Sequence, residues 1–241
     1  MLREVPMKVF RVLLVSIVVL FTGVAASALP IPKGQRAKYE ALAAQVRGGN
    51  LDVDWRALRL AAELSGVEGS YDPASAYKQG IAACKAGKYG DALRIAQAME
   101  QHNIADGNAH SLAAIALEYM GRSKEVQQER DILDAFFRSI IKSGDGKGAD
   151  TAYFTVNTRE ESLVMRQLLL VTPQSHTLAH VNGHSYDVIA AKNAVGRDVT
   201  LWFSADTDQQ RAMDLRRDNA NAIGSPDEDD APDNASSKDR E

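Results

Sequence analysis

The chain has 241 residues, a formal net charge of −4, 45% hydrophobic residues and one cysteine. A single cysteine excludes an internal disulfide framework, so an apolar core must hold the fold unaided. Nucleic-acid binding is excluded on charge: residues 224–241 carry seven acids against Lys238 and Arg240, and the remainder is near neutral, without the clustered Lys and Arg that phosphates require.

In chain order, Arg3, Lys8 and Arg11 precede an apolar run from Val12 to Phe21, and small residues follow to Ala26-Ser27-Ala28. This is the pattern of a cleaved secretory signal, and the apolar run falls short of the roughly 20 residues a membrane span needs. Residues 1–28 therefore read as a signal peptide. Its removal takes away three basic residues and one acidic residue and leaves a net charge of −6. The mature protein is expected in the periplasm or secreted, with no stable membrane anchor. Residues 29–35 read as a linker.

Residues 36–143 read as helical throughout. Tyr39, Leu42, Ala43 and Val46 recur at helical spacing until Gly48-Gly49. Asp54 caps a second helix that turns Trp55, Leu58 and Ala62 inward. Asp72 caps a third, with Pro73 at the first helical position, where its missing N–H costs nothing. On it Tyr77, Ile81 and Cys84 share a face, and Cys84 reads as a small buried hydrophobe, not a nucleophile. Further helices are expected over about 89–102, 107–120 and 124–143. An offset of 34 residues carries Gly87 onto Gly121, Gly80 onto Ala114 and Ala92 onto Val126, which resembles a degenerate tetratricopeptide repeat. Phe136, Phe137, Ile140 and Ile141 give the sixth helix a wide apolar arc, suited to touching two layers.

The period changes after Gly144, which is expected to end that helix in the left-handed conformation. Ala152, Phe154 and Val156 alternate with Tyr153, Thr155 and Asn157 as in a strand. Thr158 and Glu161 have capping-box spacing and open a short helix to about residue 169. Strands are expected at 176–181, 184–191 and 198–203, the first two joined by a hairpin at Asn182-Gly183. The fold class is α+β: TPR-like antiparallel helical hairpins followed by a small, mainly antiparallel sheet with one short helix. The β layer spans residues 144–205, and 206–241 reads as a charged, acidic, disordered tail.

Asp54-Trp55-Arg56-Ala57-Leu58-Arg59, Ser143-Gly144-Asp145-Gly146, Thr151-Ala152-Tyr153-Phe154, Glu160-Glu161, Tyr186-Asp187 and Leu201-Trp202-Phe203 together resemble, in order and spacing, an exported bacterial family known as domain of unknown function number 4919. Where that family has a tyrosine after the paired glutamates, this chain has Ser162. The resemblance implies export and a fold of this kind, and brings no activity.

Several constellations invite chemistry. His176, His180 and His184 have metal-ligand spacing only on a helix, and the hairpin reading puts His184 on the opposite sheet face from the other two. Asp145 and its flanking glycines read as a turn, and Glu160 and Glu161 as charges favoured in a first helical turn. No residue set is read as catalytic, cofactor-binding or metal-ligating. The expected function is a non-catalytic module that binds a protein or peptide of the bacterial envelope on a concave helical surface. Its candidate surface residues are Asp145, Glu160, Tyr186, Asp187, His110 and Tyr119. The alternative is an envelope hydrolase with Asp145, Glu160 and Asp187 converging where helices meet sheet.

Overall fold

A computed structural model describes residues 34–207 of the chain. The signal-like segment, most of the linker and the acidic stretch beyond residue 207 lie outside the described residues. Seven α-helices and four strands follow in the order α1 (Gln35–Arg47), α2 (Trp55–Ser65), α3 (Pro73–Lys85), α4 (Tyr89–His102), α5 (Gly107–Tyr119), α6 (Ser123–Ile141), β1 (Tyr153–Phe154), α7 (Thr158–Leu163), β2 (Thr172–Val181), β3 (His184–Lys192) and β4 (Asp198–Ser204). The fold is α+β, helical hairpins followed by a small sheet. Among the described residues no helix is long and apolar enough to cross a membrane.

The 34-residue offset holds for whole elements. It carries Pro73 and Lys85, the ends of α3, onto Gly107 and Tyr119, the ends of α5, and Tyr89 at the start of α4 onto Ser123 at the start of α6. Gly87 and Gly121 close both hairpins with φ of 71° and 72°. Gly80 allows α3 to meet α5 closely, since a Cβ there would lie 2.2 Å from Leu112 Cδ2. Caps act where the side-chain chemistry requires: Asp54 accepts from the Ala57 N–H at 2.9 Å and Asp72 from the Ser75 N–H at 3.0 Å.

Two apolar cores result. Ala92, Met99, Leu112, Leu117 and Val126 fill the space between the repeat hairpins. Tyr39, Trp55, Leu58, Phe136, Ile140, Leu163, Ile189 and Phe203 join α1, α2, α6 and α7 to the sheet. The helix α6 serves both, Val126 in the first and Phe136 in the second; each large side chain fully buried contributes roughly 1.5–3 kcal/mol. Ile141, assigned to that apolar arc by the sequence, is 42% exposed, because α6 ends there.

The sheet order is β1-β4-β3-β2. The hairpin forms as expected, with Asn182 and Gly183 at φ 52° and 82° and Val181 opposite His184. Four expectations need correction. First, β1 runs parallel to β4, pairing Tyr153 with Phe203, because the chain crosses through α7 and the hairpin before β4 returns. Second, β1 is only two residues long, since Thr155 and Val156 are both buried and the alternation stops. Third, Gly144 is not left-handed; a Cβ there would lie 2.1 Å from the Thr151 carbonyl oxygen, and the positive φ of 68° belongs to Gly146. Fourth, α7 is capped by Asn157, which accepts from the Glu160 N–H at 3.1 Å. Glu160, not Glu161, reaches back, accepting from the Val156 N–H at 2.9 Å.

The described fold also extends past the expected start of the tail at residue 206. Asp206 accepts from the Ser185 N–H at 2.7 Å, and Thr207 is 7% exposed.

Candidate functional site: the groove beside the edge strand

The face of α5 that an open helical array would offer to a partner is covered by the chain itself, which reaches α3 at Tyr77. After Leu163 the helix widens into a π turn, Val164–Leu168, and its side chains lie on that face. Arg166 donates to Asn108 Oδ1 at 3.0 Å and to the Tyr77 hydroxyl at 3.3 Å, and Gln167 donates to Ser111. As a result α5 is buried along most of its length, as a helix packed on all sides must be.

Two of the sequence candidates sat on that expected surface, and the structure takes one of them, His110, out of it. His110 is 1% exposed, inside the helical layer. Tyr119 is 67% exposed at the end of α5, its ring stacked on Tyr89 with centroids 4.6 Å apart.

The helix–sheet junction is filled by a polar network. The Arg59 side chain is fully buried; it pairs with Glu160 and donates to Ser139 Oγ at 3.1 Å and to the Phe154 carbonyl at 3.3 Å. Asn157 donates to Glu63 at 2.7 Å, and Arg159 to Glu68 at 2.6 Å. Burial pushes the Glu160 carboxyl above its ordinary value, against the opposing pull of Arg59 and the Val156 N–H. The cavity enclosed there is about 10 Å³, room for one water at most.

Asp145 lies elsewhere, exposed, accepting from Thr151 Oγ1 at 2.7 Å and paired with Lys147 Nζ at 2.8 Å. These hydrogen bonds, Lys147 first and Thr151 second, hold its carboxyl at about 2. Asp187 belongs to a third environment on β3, so Asp145, Glu160 and Asp187 each sit in a different network. Tyr186 points from the opposite sheet face, edge-on to Trp202 at 5.8 Å.

Asp187 marks the most differentiated surface. It is 4% exposed, flanked in register by Leu178 of β2 and Phe203 of β4, and its Oδ1 is 2.7 Å from His176 Nε2. His176 is mostly exposed and lines an open groove of about 400 Å³, with Thr158, Ser162 and Met165 on one wall and Pro173 and Ile189 on the other. Leu170, at the end of the π turn, has φ 50° and is 62% exposed. A branched residue in the left-handed region is a locally strained backbone, and π turns recur at functional sites. A wider basin of about 620 Å³ beside α2 and α6 is lined by Asp52, Asp54, Arg56, Arg138 and Lys142, exposed charges of both signs.

The groove is bordered by β2, the outer strand of the sheet. Its ten residues include no Lys, Arg, Asp or Glu, and nearly all of them are exposed. The three histidines find separate partners, His176 with Asp187, His180 with Ser185 at 3.1 Å and His184 with Asp206 at 2.7 Å, so they converge on no common centre. The His176–Asp187 contact had a sequence signal: hairpin register sets Leu178 opposite Asp187, which makes His176 a diagonal neighbour on the same face.

Comparison of the chain with protein-family models, with curated proteins and with solved structures finds no match.

Proposed function

We propose that the protein is an exported, non-catalytic module of the bacterial envelope that binds a protein or peptide segment, adding it as a strand along β2 and seating one of its side chains in the adjoining groove. The observation that carries this reading is the unguarded edge of β2. Edge strands are ordinarily kept short, charged or bulged to prevent pairing. Here the register shift and Pro173 lie at one end only, and from Ser175 to Val181 the edge is uncharged, with Leu178 47% exposed. Strand addition supplies affinity through backbone hydrogen bonds and specificity through a pocket for alternate side chains. Export, and membership of the family the motifs resemble, are part of the same proposal. The hydrolase alternative retains no assembled site, because its three carboxylates are engaged separately.

The test is photocrosslinking in cells from a reactive residue at position 177, followed by mass spectrometry. One dominant envelope partner, lost in Leu178→Lys and retained when Tyr119 is changed to Ser, supports strand addition. Capture that persists undiminished in Leu178→Lys refutes it.

A further inference from the structure

One cluster of ligating side chains lies outside the groove and the layer junction. Glu100 on α4, His110 on α5 and Glu129 on α6 bring together three potential ligand atoms, all within 4.8 Å of one another. They come from three successive helices, so the cluster exists only when the hairpins pack.

The proton inventory of His110 shows what the cluster lacks. Its Nε2 lies 2.8 Å from the Ile104 carbonyl oxygen, and a carbonyl can only accept, so Nε2 carries the hydrogen. The other nitrogen, Nδ1, then presents a lone pair in the neutral ring. It faces Glu129 Oε2 at 2.7 Å and Glu100 Oε1 at 3.7 Å. Three electron pairs thus converge on one point and require a cation between them, either a proton on Nδ1 or a metal ion. Glu100 Oε1 is sealed from solvent and has no hydrogen-bond partner, which is costly for a carboxylate oxygen. Burial first, and then the Glu129 and Asp106 carboxylates, push the Glu100 carboxyl up to about 7 against the pull of His110. This carboxylate therefore takes up a cation, proton or metal, more readily than an ordinary one.

We propose that Glu100, His110 and Glu129 form a binding site for a divalent first-row transition-metal ion, with His110 Nδ1 and one oxygen from each carboxylate as the protein ligands. One nitrogen and two oxygens suit zinc or a neighbouring ion better than a soft copper(I). Bonds of roughly 2.0–2.2 Å in a tetrahedral arrangement set ligand atoms about 3.4 Å apart, and the observed 2.7 Å and 3.7 Å straddle that spacing. The Nε2–H bond to the Ile104 carbonyl is the outer contact that fixes the tautomer of a metal-binding histidine. Binding forms three coordinate bonds and releases to solvent the protons held on Nδ1 and on the carboxyl groups. No electron is transferred. The ion ties α4, α5 and α6 together, and a water completes its coordination.

The test uses the full mature chain, stripped of metal, titrated with Co²⁺ for its visible d–d absorption and then with Zn²⁺ in competition, with thermal unfolding followed in parallel. The expected result is one equivalent of Co²⁺ bound, displaced by Zn²⁺, and a midpoint raised by Zn²⁺. Glu100→Gln keeps the shape of the side chain and removes a buried charge, so it is expected to unfold no earlier than the parent without metal. It should nevertheless weaken Zn²⁺ binding at least tenfold, and Glu129→Gln should do likewise. A parent that shows neither absorption nor a raised midpoint overturns the proposal. So does Co²⁺ binding that survives in the Glu100→Gln/Glu129→Gln double variant, which would place the ion elsewhere, on the acidic segment 224–241 for example.

Discussion

Arg59 of α2 and Glu160 of α7 form an ion pair sealed between the helical layer and the sheet, with the Arg59 side chain 0% and that of Glu160 9% exposed. Each partner is also tied to its own layer, Arg59 to Ser139 of α6 and Glu160 to the Val156 N–H. The pair is therefore the polar joint of the molecule, and its loss is one-sided. Glu160→Gln leaves a buried guanidinium without its counter-charge and should cost about 3–5 kcal/mol in urea unfolding, whereas Arg59→Met combined with Glu160→Leu should cost less than either single change. Single variants that each lose under about 1 kcal/mol would show that the layers are held by apolar contacts alone.

Exposure misleads at the hydrogen bond between His176 and Asp187. His176 is 57% exposed in its side chain, while its partner Asp187 is 6% exposed. Removing the histidine strands a buried carboxylate, whereas changing the carboxylate to an amide leaves an exposed ring that water can solvate. His176→Ala should cost about 1–3 kcal/mol, more than Asp187→Asn, in paired denaturant melts. The opposite order would mean that Asp187 is satisfied by other groups.

The Asp145 carboxyl should titrate at about 2, followed through its side-chain carbon resonance. Because its folded value lies below the ordinary 3.8, its contribution to stability is complete above that ordinary value and is lost as pH falls through about 2. Asp145→Asn should remove this part of the acid dependence and leave the neutral-pH fold intact. An ordinary midpoint would mean that the Lys147 and Thr151 contacts are not maintained in solution.

Gly144 and Gly90 make a contrasting pair. A Cβ on Gly144 would meet backbone, the Thr151 oxygen at 2.1 Å and the Ala152 oxygen at 3.0 Å, whereas one on Gly90 would meet nothing within 4 Å. Gly144→Ala should destabilise by about 1–3 kcal/mol through overpacking. Gly90→Ala in the first turn of α4 should instead stabilise by about 0.4–1 kcal/mol, by restricting the unfolded chain. Thermal midpoints moving in opposite directions would confirm both.

Much of the architecture is legible before folding, because it depends on neighbours in sequence. The caps at Asp54 and Asp72, the repeat marked by Gly87 and Gly121, and the Asn182-Gly183 hairpin each arise from a side chain or φ preference acting within a few residues. The helix-to-strand change after Gly144 is a change of apolar period. Other elements escape such reading. Whether α5 presents an open face depends on Arg166 and Gln167, more than 50 residues away in the chain. The parallel pairing of β1 with β4 depends on a crossover through α7.

The candidate sites divide in the same way. Residue chemistry alone places His176 and Asp187 on one sheet face, since strand alternation and hairpin register are local. The convergence of Glu100, His110 and Glu129 has no sequence motif, because three helices must first pack on shared apolar faces. Sequence by itself determined most of the elements, the caps at Asp54 and Asp72 and the Asn182-Gly183 turn, where the governing forces reach only a few residues. The tertiary structure alone decided which surfaces are open and which charges meet, because burial and charge pairing are set by segments that become neighbours only when both cores close.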